Sequence, residues 1–229
     1  MNAVITGATK GIGKAIAVEL ARQGYHLAIC SRNQNELNLF KQELESYPIN
    51  ILAMQADCTQ KADVINFAEK VENTFDQVDV LVNNAGIFLP QNLLDEEDEN
   101  FEIQQQINVN AAYYLAKRLG KMMCKKQSGH IFNICSVASK GPVKGAGSYS
   151  VTKAALLSLN NVLRDELAQH NIKVTAILPG STLTASWEGT TISPEKFVQP
   201  QDIAQLITCV LNLSKGVNVD EIMLTPLNF

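Results

Sequence analysis

Short apolar runs rich in β-branched residues alternate along this chain with longer segments whose apolar residues recur every three to four positions. Residues 2–6, Asn-Ala-Val-Ile-Thr, predict a first strand. Residues 14–23 have helical spacing and stop at Gly24. The pattern continues with strands over 25–30, 49–56 and 78–82 and helices over 35–46 and 61–75. In the second half it predicts a helix over 110–126, a strand over 130–135 and a long helix over 148–169 that Ser148 can cap. A strand over 172–178, a helix over 202–213 and a last strand over 221–225 complete the series. Asp95 to Glu99 reads as the solvated first turn of one more helix. Strand and helix in turn predict an α/β fold, doubly wound around a parallel sheet of about seven strands with right-handed crossovers. No Pro/Gly/Ser-rich linker or charge block interrupts the 229 residues, so residues 1–229 are expected to form a single domain. In such a sheet a ligand lies at the carboxyl ends of the strands, where the turns at Gly7, Arg32, Asp57 and Asn84 collect.

Composition narrows the classes. A net charge of −4 gives no reason to expect nucleic acid or an anionic membrane as partner. No apolar run reaches the ~18 residues of a membrane span. The first strand begins at once, which leaves no room for a signal peptide. Five scattered cysteines, with no Cys-x-x-Cys and only three histidines, fit a cytoplasmic protein with reduced thiols and no metal site. Arg118, Lys121 and Lys125 share one helix face; a solvated face is expected there rather than a dock for an acidic partner.

Candidate chemistry sits in two stretches. In the first, Gly7-Ala-Thr-Lys-Gly11-Ile-Gly13 joins the first strand to the first helix. Glycines in that setting let backbone N–H groups approach a phosphate seated on the helix N-terminus. A nicotinamide dinucleotide with a free ribose needs an Asp or Glu at the end of the second strand. Here that place holds Ser31-Arg32-Asn33, without a carboxylate. Arg32, with Lys10 in the glycine turn, suits a 2′-phosphate and therefore NADP(H).

The second stretch runs from Ser136 to Lys153. Gly141, Pro142, Gly145 and Gly147 make its first part a loop, and a helix pattern follows. Tyr149 and Lys153 then stand one helical turn apart, and Ser136 arrives from the end of the preceding strand. A fixed ammonium beside a phenol favours the phenolate and equips the tyrosine to exchange protons. The tyrosine–lysine spacing is a weak signal by itself, because Tyr113 and Lys117 repeat it. That pair has no glycine loop before it and no serine at the matching distance, so it reads as ordinary helix surface.

These motifs, in this order, resemble the short-chain dehydrogenase/reductase family over essentially the whole chain. Thr6-Gly7-x-x-x-Gly11-x-Gly13 is similar to the family's cofactor turn, and Asn83-Asn84-Ala85-Gly86 to its fourth-strand motif. Asn110, Ser136, Tyr149 and Lys153 match its catalytic tetrad, and Pro179-Gly180 with Thr184 its nicotinamide-side loop. The resemblance implies a Rossmann-type domain, a nicotinamide cofactor, a homodimer or homotetramer built on the helices beginning near Asn110 and Ser148, and interconversion of a small carbonyl compound and a secondary alcohol. It places the cofactor against Gly7, Thr9, Lys10, Gly11, Ile12, Gly13, Arg32, Asp57, Asn84, Ala85, Gly86, Tyr149, Lys153, Pro179, Gly180, Thr182 and Thr184. Asp57 would meet the adenine, Thr184 the carboxamide, and Asn110 a water linking Lys153 to solvent. The end of the chain, Val219 to Phe229, lacks the glycine pair of many relatives, including typical 3-oxoacyl-carrier-protein reductases. The alternatives on the same fold are a catalytically silent NADP(H)-binding regulator, against which the full tetrad argues, and a methyltransferase, against which Lys10 and Arg32 argue.

Overall fold

A computed structural model describes residues 1–229. Its strands are β1 (Asn2–Thr6), β2 (His26–Ser31), β3 (Ile51–Gln55), β4 (Val80–Asn83), β5 (Gly129–Ile134), β6 (Ile172–Pro179) and β7 (Glu221–Leu224). They form one sheet in the order β3-β2-β1-β4-β5-β6-β7, and every neighbouring pair is parallel. The order reverses between β1 and β4, which opens a crevice at their carboxyl ends.

The helices are α1 (Gly11–Arg22), α2 (Gln34–Leu44), α3 (Lys61–Thr74), α4 (Asp98–Gln105), α5 (Ala111–Lys126), α6 (Gly147–Leu167) and α7 (Pro200–Leu211). Successive strand residues point to opposite faces, so the sheet separates two cores. Ile5 packs with Ile16 and Leu20 of α1, Phe40 of α2 and Ile203 and Ile207 of α7. Its neighbour Val4 packs the other way, with Phe67 and Val71 of α3 and Leu115 and Leu119 of α5. Leu156 and Leu157 of α6 cover Ala176 and Leu178 of β6. Each such side chain contributes about 1.5–3 kcal/mol on burial. That burial selects the helix faces and fixes where α1 and α6 begin, at the crevice.

Three expectations change in detail. The acidic patch does lead into a helix, with Asp98 and Glu99 in the first turn of α4, where carboxylates complement the dipole. The helix expected from Asn110 is the continuation of α4 through a π-helical turn, Gln106–Asn110. Ser148 is not the cap of α6: the helix starts at Gly147, and the Ser148 hydroxyl donates to Glu96. No helix is long and apolar enough to cross a membrane.

Candidate active site

The glycine turn closes on itself through Asn84. Thr6 Oγ1 accepts from the backbone N–H groups of Asn84 and Ala85 at 3.1 and 2.9 Å. Asn84 Nδ2 donates to the carbonyls of Thr6 and Gly7 at 2.8 and 3.0 Å. Asn84 therefore clamps the β1 turn to the end of β4, and its amide is spent on that task. A Cβ on Gly13 would lie 2.3 Å from Gly7 O and 2.4 Å from Asn84 Nδ2, which no side chain permits. Gly7 and Gly11 adopt φ of 62° and 52°, a region that favours glycine. The N-cap of α1, Lys10, offers no side-chain bond, and the first turn carries no acid. The opening N–H groups of a long helix are thus left for an anion, and this donor set fits a dinucleotide pyrophosphate. The Ile12 side chain packs on the first core, which leaves only its backbone facing the turn.

Around this turn stand the other expected contacts. Gly180 N donates to Leu224 O at 2.7 Å and Thr182 Oγ1 to Gly180 O at 2.9 Å, which ties the loop after β6 to the end of β7. The loop then returns to the turn: a Cβ on Gly11 would meet Thr184 Cγ2 at 3.1 Å. Asp57 Oδ1 accepts from the backbone N–H and hydroxyl of Thr59, both at 2.9 Å, so it also shapes the turn into α3. Arg32 is exposed and pairs with no carboxylate. Lys10, by contrast, is paired: its Nζ lies 2.9 Å from Glu36 Oε1 of α2. The end of β2 itself carries no acid, yet folding delivers one, Glu36, from the first turn of α2.

Beyond the turn, α6 enters the crevice. Lys153 is buried, and its Nζ donates to the carbonyl of Ile134 at 2.8 Å, at the last residue of β5. The same Nζ lies 5.7 Å from the centre of the Tyr149 ring. Phe88, from the loop after β4, meets Tyr149 edge to face at 4.8 Å. Ser136, two residues past Ile134, is buried; its Oγ accepts from Ala138 N at 3.1 Å and keeps its own proton to donate. Between them, Cys135 is no competing nucleophile. Burial pushes its thiol up to about 12, although the Lys153 charge acts to lower it.

Asn110 does not reach this group. Its side chain bonds Gln105 Nε2 at 3.3 Å and Gln106 Oε1 at 2.9 Å on its own helix. The residue brought in is Asn108, almost fully buried. Its Oδ1 accepts from Ile87 N at 2.8 Å, and its Nδ2 donates to Ile87 O at 3.1 Å and Thr152 Oγ1 at 3.0 Å. A Cβ on Gly86 would stand 3.1 Å from Asn108 Oδ1 and 3.5 Å from Lys153 Nζ, so the three are neighbours. The π-turn is the reason: one extra residue per turn shifts the helical phase and turns Asn108 inward. The repeated Asn108-x-Asn110 spacing is the one sequence signal that a second asparagine was in play.

A cleft of about 760 Å³ lies elsewhere, between α3 and α5. It contains Tyr113 and Lys117 and shares no residue with the glycine turn or with Lys153. The Arg118 guanidinium there is already engaged by Glu69 and Glu72, at 2.9 and 2.7 Å.

Residues 1–193 match the family model described as short chain dehydrogenase. An uncharacterized oxidoreductase of Staphylococcus epidermidis is 34% identical over 224 residues, 98% of this chain and 96% of that protein. Among solved structures, an alcohol dehydrogenase from the archaeon Thermococcus sibiricus, complexed with 5-hydroxy-NADP, superposes with a TM-score of 0.91 at 29% identity, covering 99% of this chain and 96% of that one. L-Sorbose reductase from Gluconobacter frateurii, complexed with NADPH and L-sorbose, gives 0.91 at 27% identity, covering 98% and 95%.

Proposed function

The chain belongs to the short-chain dehydrogenase family and is an oxidoreductase, and from that premise we propose that it interconverts a carbonyl compound and a secondary alcohol with NADP(H), using Tyr149 as acid and base. The observation that carries this reading is the buried Lys153 ammonium, anchored at the end of β5 with Tyr149 one turn before it and Ser136 two residues beyond its anchor. The glycine turn and the first N–H groups of α1 would hold the pyrophosphate; Arg32 and Lys10 would hold the 2′-phosphate. The NADP and NADPH bound by the two solved relatives support the same choice.

When bound, the nicotinamide supplies hydride to the carbonyl carbon, or takes it from the alcohol. The rest falls to the protein. Ser136 donates its hydroxyl proton to the substrate oxygen and holds it in place. Tyr149 gives a proton to that oxygen as negative charge builds there, and takes one back in oxidation. Lys153 spends one proton on Ile134 O. Its remaining donors are available to a ribose hydroxyl, and its charge stands 5.7 Å from the centre of the Tyr149 ring. Asn108, rather than Asn110, holds the loop at Ile87 against Lys153. Phe88 at the tyrosine ring, and the cluster of Trp187, Phe197 and Phe229 with ring centres 5.1–5.4 Å apart, favour a neutral substrate of small to medium size. A panel of ketones, diketones and 3-oxoacyl thioesters, followed by NADPH absorbance, tests the proposal. No turnover of any carbonyl by a protein that binds NADPH would reduce it to a nucleotide binder.

A further inference from the structure

Glu36 of α2 pairs with Lys10, one of the two cations that the NADP(H) reading assigns to the 2′-phosphate. Its Oε1 lies 2.9 Å from Lys10 Nζ and accepts from Asn33 Nδ2 at 3.0 Å. Its Oε2 accepts from Thr9 Oγ1 at 3.4 Å, and Thr9 Oγ1 is 3.1 Å from Ser31 Oγ. The carboxylate thus ties together residues of the glycine turn, the end of β2 and the start of α2. Near the N-terminus of α2 a carboxylate is favourable anyway. A purely helical role, however, needs no contact with Lys10 or Thr9 of another loop. Helix capping here is supplied by Asn33, whose Oδ1 accepts from Asn35 N and Glu36 N at 3.0 and 3.1 Å.

Charge decides what such a carboxylate does to a nucleotide. Lys10 and Arg32 are the two cations of this pocket, and Glu36 cancels one of them. A dianionic 2′-phosphate must take Lys10 away from Glu36 and then remain near its negative charge. A free 2′-hydroxyl meets no such opposition and can donate to the carboxylate. The side chains of Lys10 and Glu36 are 64% and 32% exposed, so the ion pair is weak enough to exchange partners.

Given the NADP(H) reading above, we propose that Glu36 is a specificity-determining residue that narrows the preference for NADPH over NADH set by Arg32 and Lys10. The test is the dissociation constant of each nucleotide, measured by fluorescence titration at fixed ionic strength, for the unmodified protein and for Glu36→Gln. Glutamine keeps the length of the side chain and an acceptor for Asn33. The variant should bind NADPH roughly fivefold to tenfold more tightly, as expected from removing one like charge near a dianion in a largely aqueous setting. NADH should bind equally well or more weakly, so the ratio of the two constants widens. A merely structural role would lower the melting temperature and move both constants together, and that result overturns the assignment. An unchanged ratio with both nucleotides still bound also overturns it, and leaves the cofactor reading standing. Failure of the unmodified protein to bind either nucleotide would remove the cofactor reading itself, and Glu36 with it.

Discussion

Lys153 Nζ donates to the carbonyl oxygen of Ile134 at 2.8 Å, which fixes an ammonium of α6 at the end of β5. The bond does two things at once. It satisfies a buried charge that would otherwise be costly, and it sets the height at which Tyr149, one turn earlier, enters the crevice. Tyr113 and Lys117 have the same local geometry, with Nζ 5.6 Å from the ring centre against 5.7 Å, but both are exposed and no strand end receives their lysine.

This difference predicts opposite outcomes for two chemically identical changes. Tyr149→Phe removes the proton and keeps the ring, so turnover should fall by at least ~10²-fold with NADPH affinity nearly kept. Tyr113→Phe should leave kcat close to that of the unmodified enzyme. Matching kinetics in the two variants would mean that the proton comes from another group.

The two asparagines can be separated in the same way. Asn108→Ala would leave Ile87 N and Ile87 O without their partner, while Thr152 Oγ1 keeps only its bond to Tyr149 O. Stability should drop by roughly 2–4 kcal/mol, and turnover with it, because the loop beside Lys153 loosens. Asn110→Ala removes only bonds along its own helix, one of them exposed, and should shift the urea midpoint little. The reverse ranking would restore Asn110 to the site.

At the 2′ end, Arg32 has no internal partner to lose. Arg32→Ala should weaken NADPH binding by about tenfold, the scale of one charge-assisted hydrogen bond of about 1.5 kcal/mol, and leave NADH almost untouched. Adding Ser31→Asp should reverse the preference by repelling the phosphate and accepting from the 2′-hydroxyl. Kd values for both nucleotides decide it. An Arg32→Ala protein with unaltered NADPH affinity would show that the guanidinium stays in solvent.

A buried histidine away from the site makes the fold sensitive to acid. His130 Nε2 lies 2.8 Å from Thr175 Oγ1, and the ring stacks on Phe132 at 4.0 Å. Burial, with the Lys173 charge adding to it, pushes its pKa down to about 3. The unfolded chain binds the same proton near ~6.5. Below that pH the unfolded state gains a proton that the folded state refuses. The stability tied to neutral His130 is therefore intact above pH ~6.5 and is lost progressively as pH falls toward the folded value. By pH 5 the loss should be about 2 kcal/mol. In His130→Gln that share of the decline between pH 7 and pH 5 should vanish from urea unfolding curves. An identical decline in both proteins would mean that His130 titrates normally.

The order of elements, the parallel sheet and the glycine turn were legible in the sequence because each is a local property. A period of two or 3.6 marks a strand or helix wherever it lies, and a strand followed by glycines and a helix has few foldings open to it. The identities of Ser136, Tyr149 and Lys153 as candidates were legible for the same reason. Which of two Tyr-x-x-x-Lys pairs is buried was a tertiary matter. Their local geometry is equal; the glycine loop and Ser136 before one of them mark it in the sequence, and the packing of α6 on the sheet buries its lysine at the end of β5. The phase of a helix was tertiary as well. One π-turn, invisible to a 3.6-residue period, turns Asn108 inward and leaves Asn110 on the helix flank. The acid that pairs with Lys10 was hidden by its distance from Lys10 along the chain. Reading the end of β2 finds no carboxylate there, and only the docking of α2 beside the glycine turn brings Glu36 to Lys10. Sequence determines which groups exist and what local shapes they favour; the packing of elements far apart in the chain decides which of those groups meet.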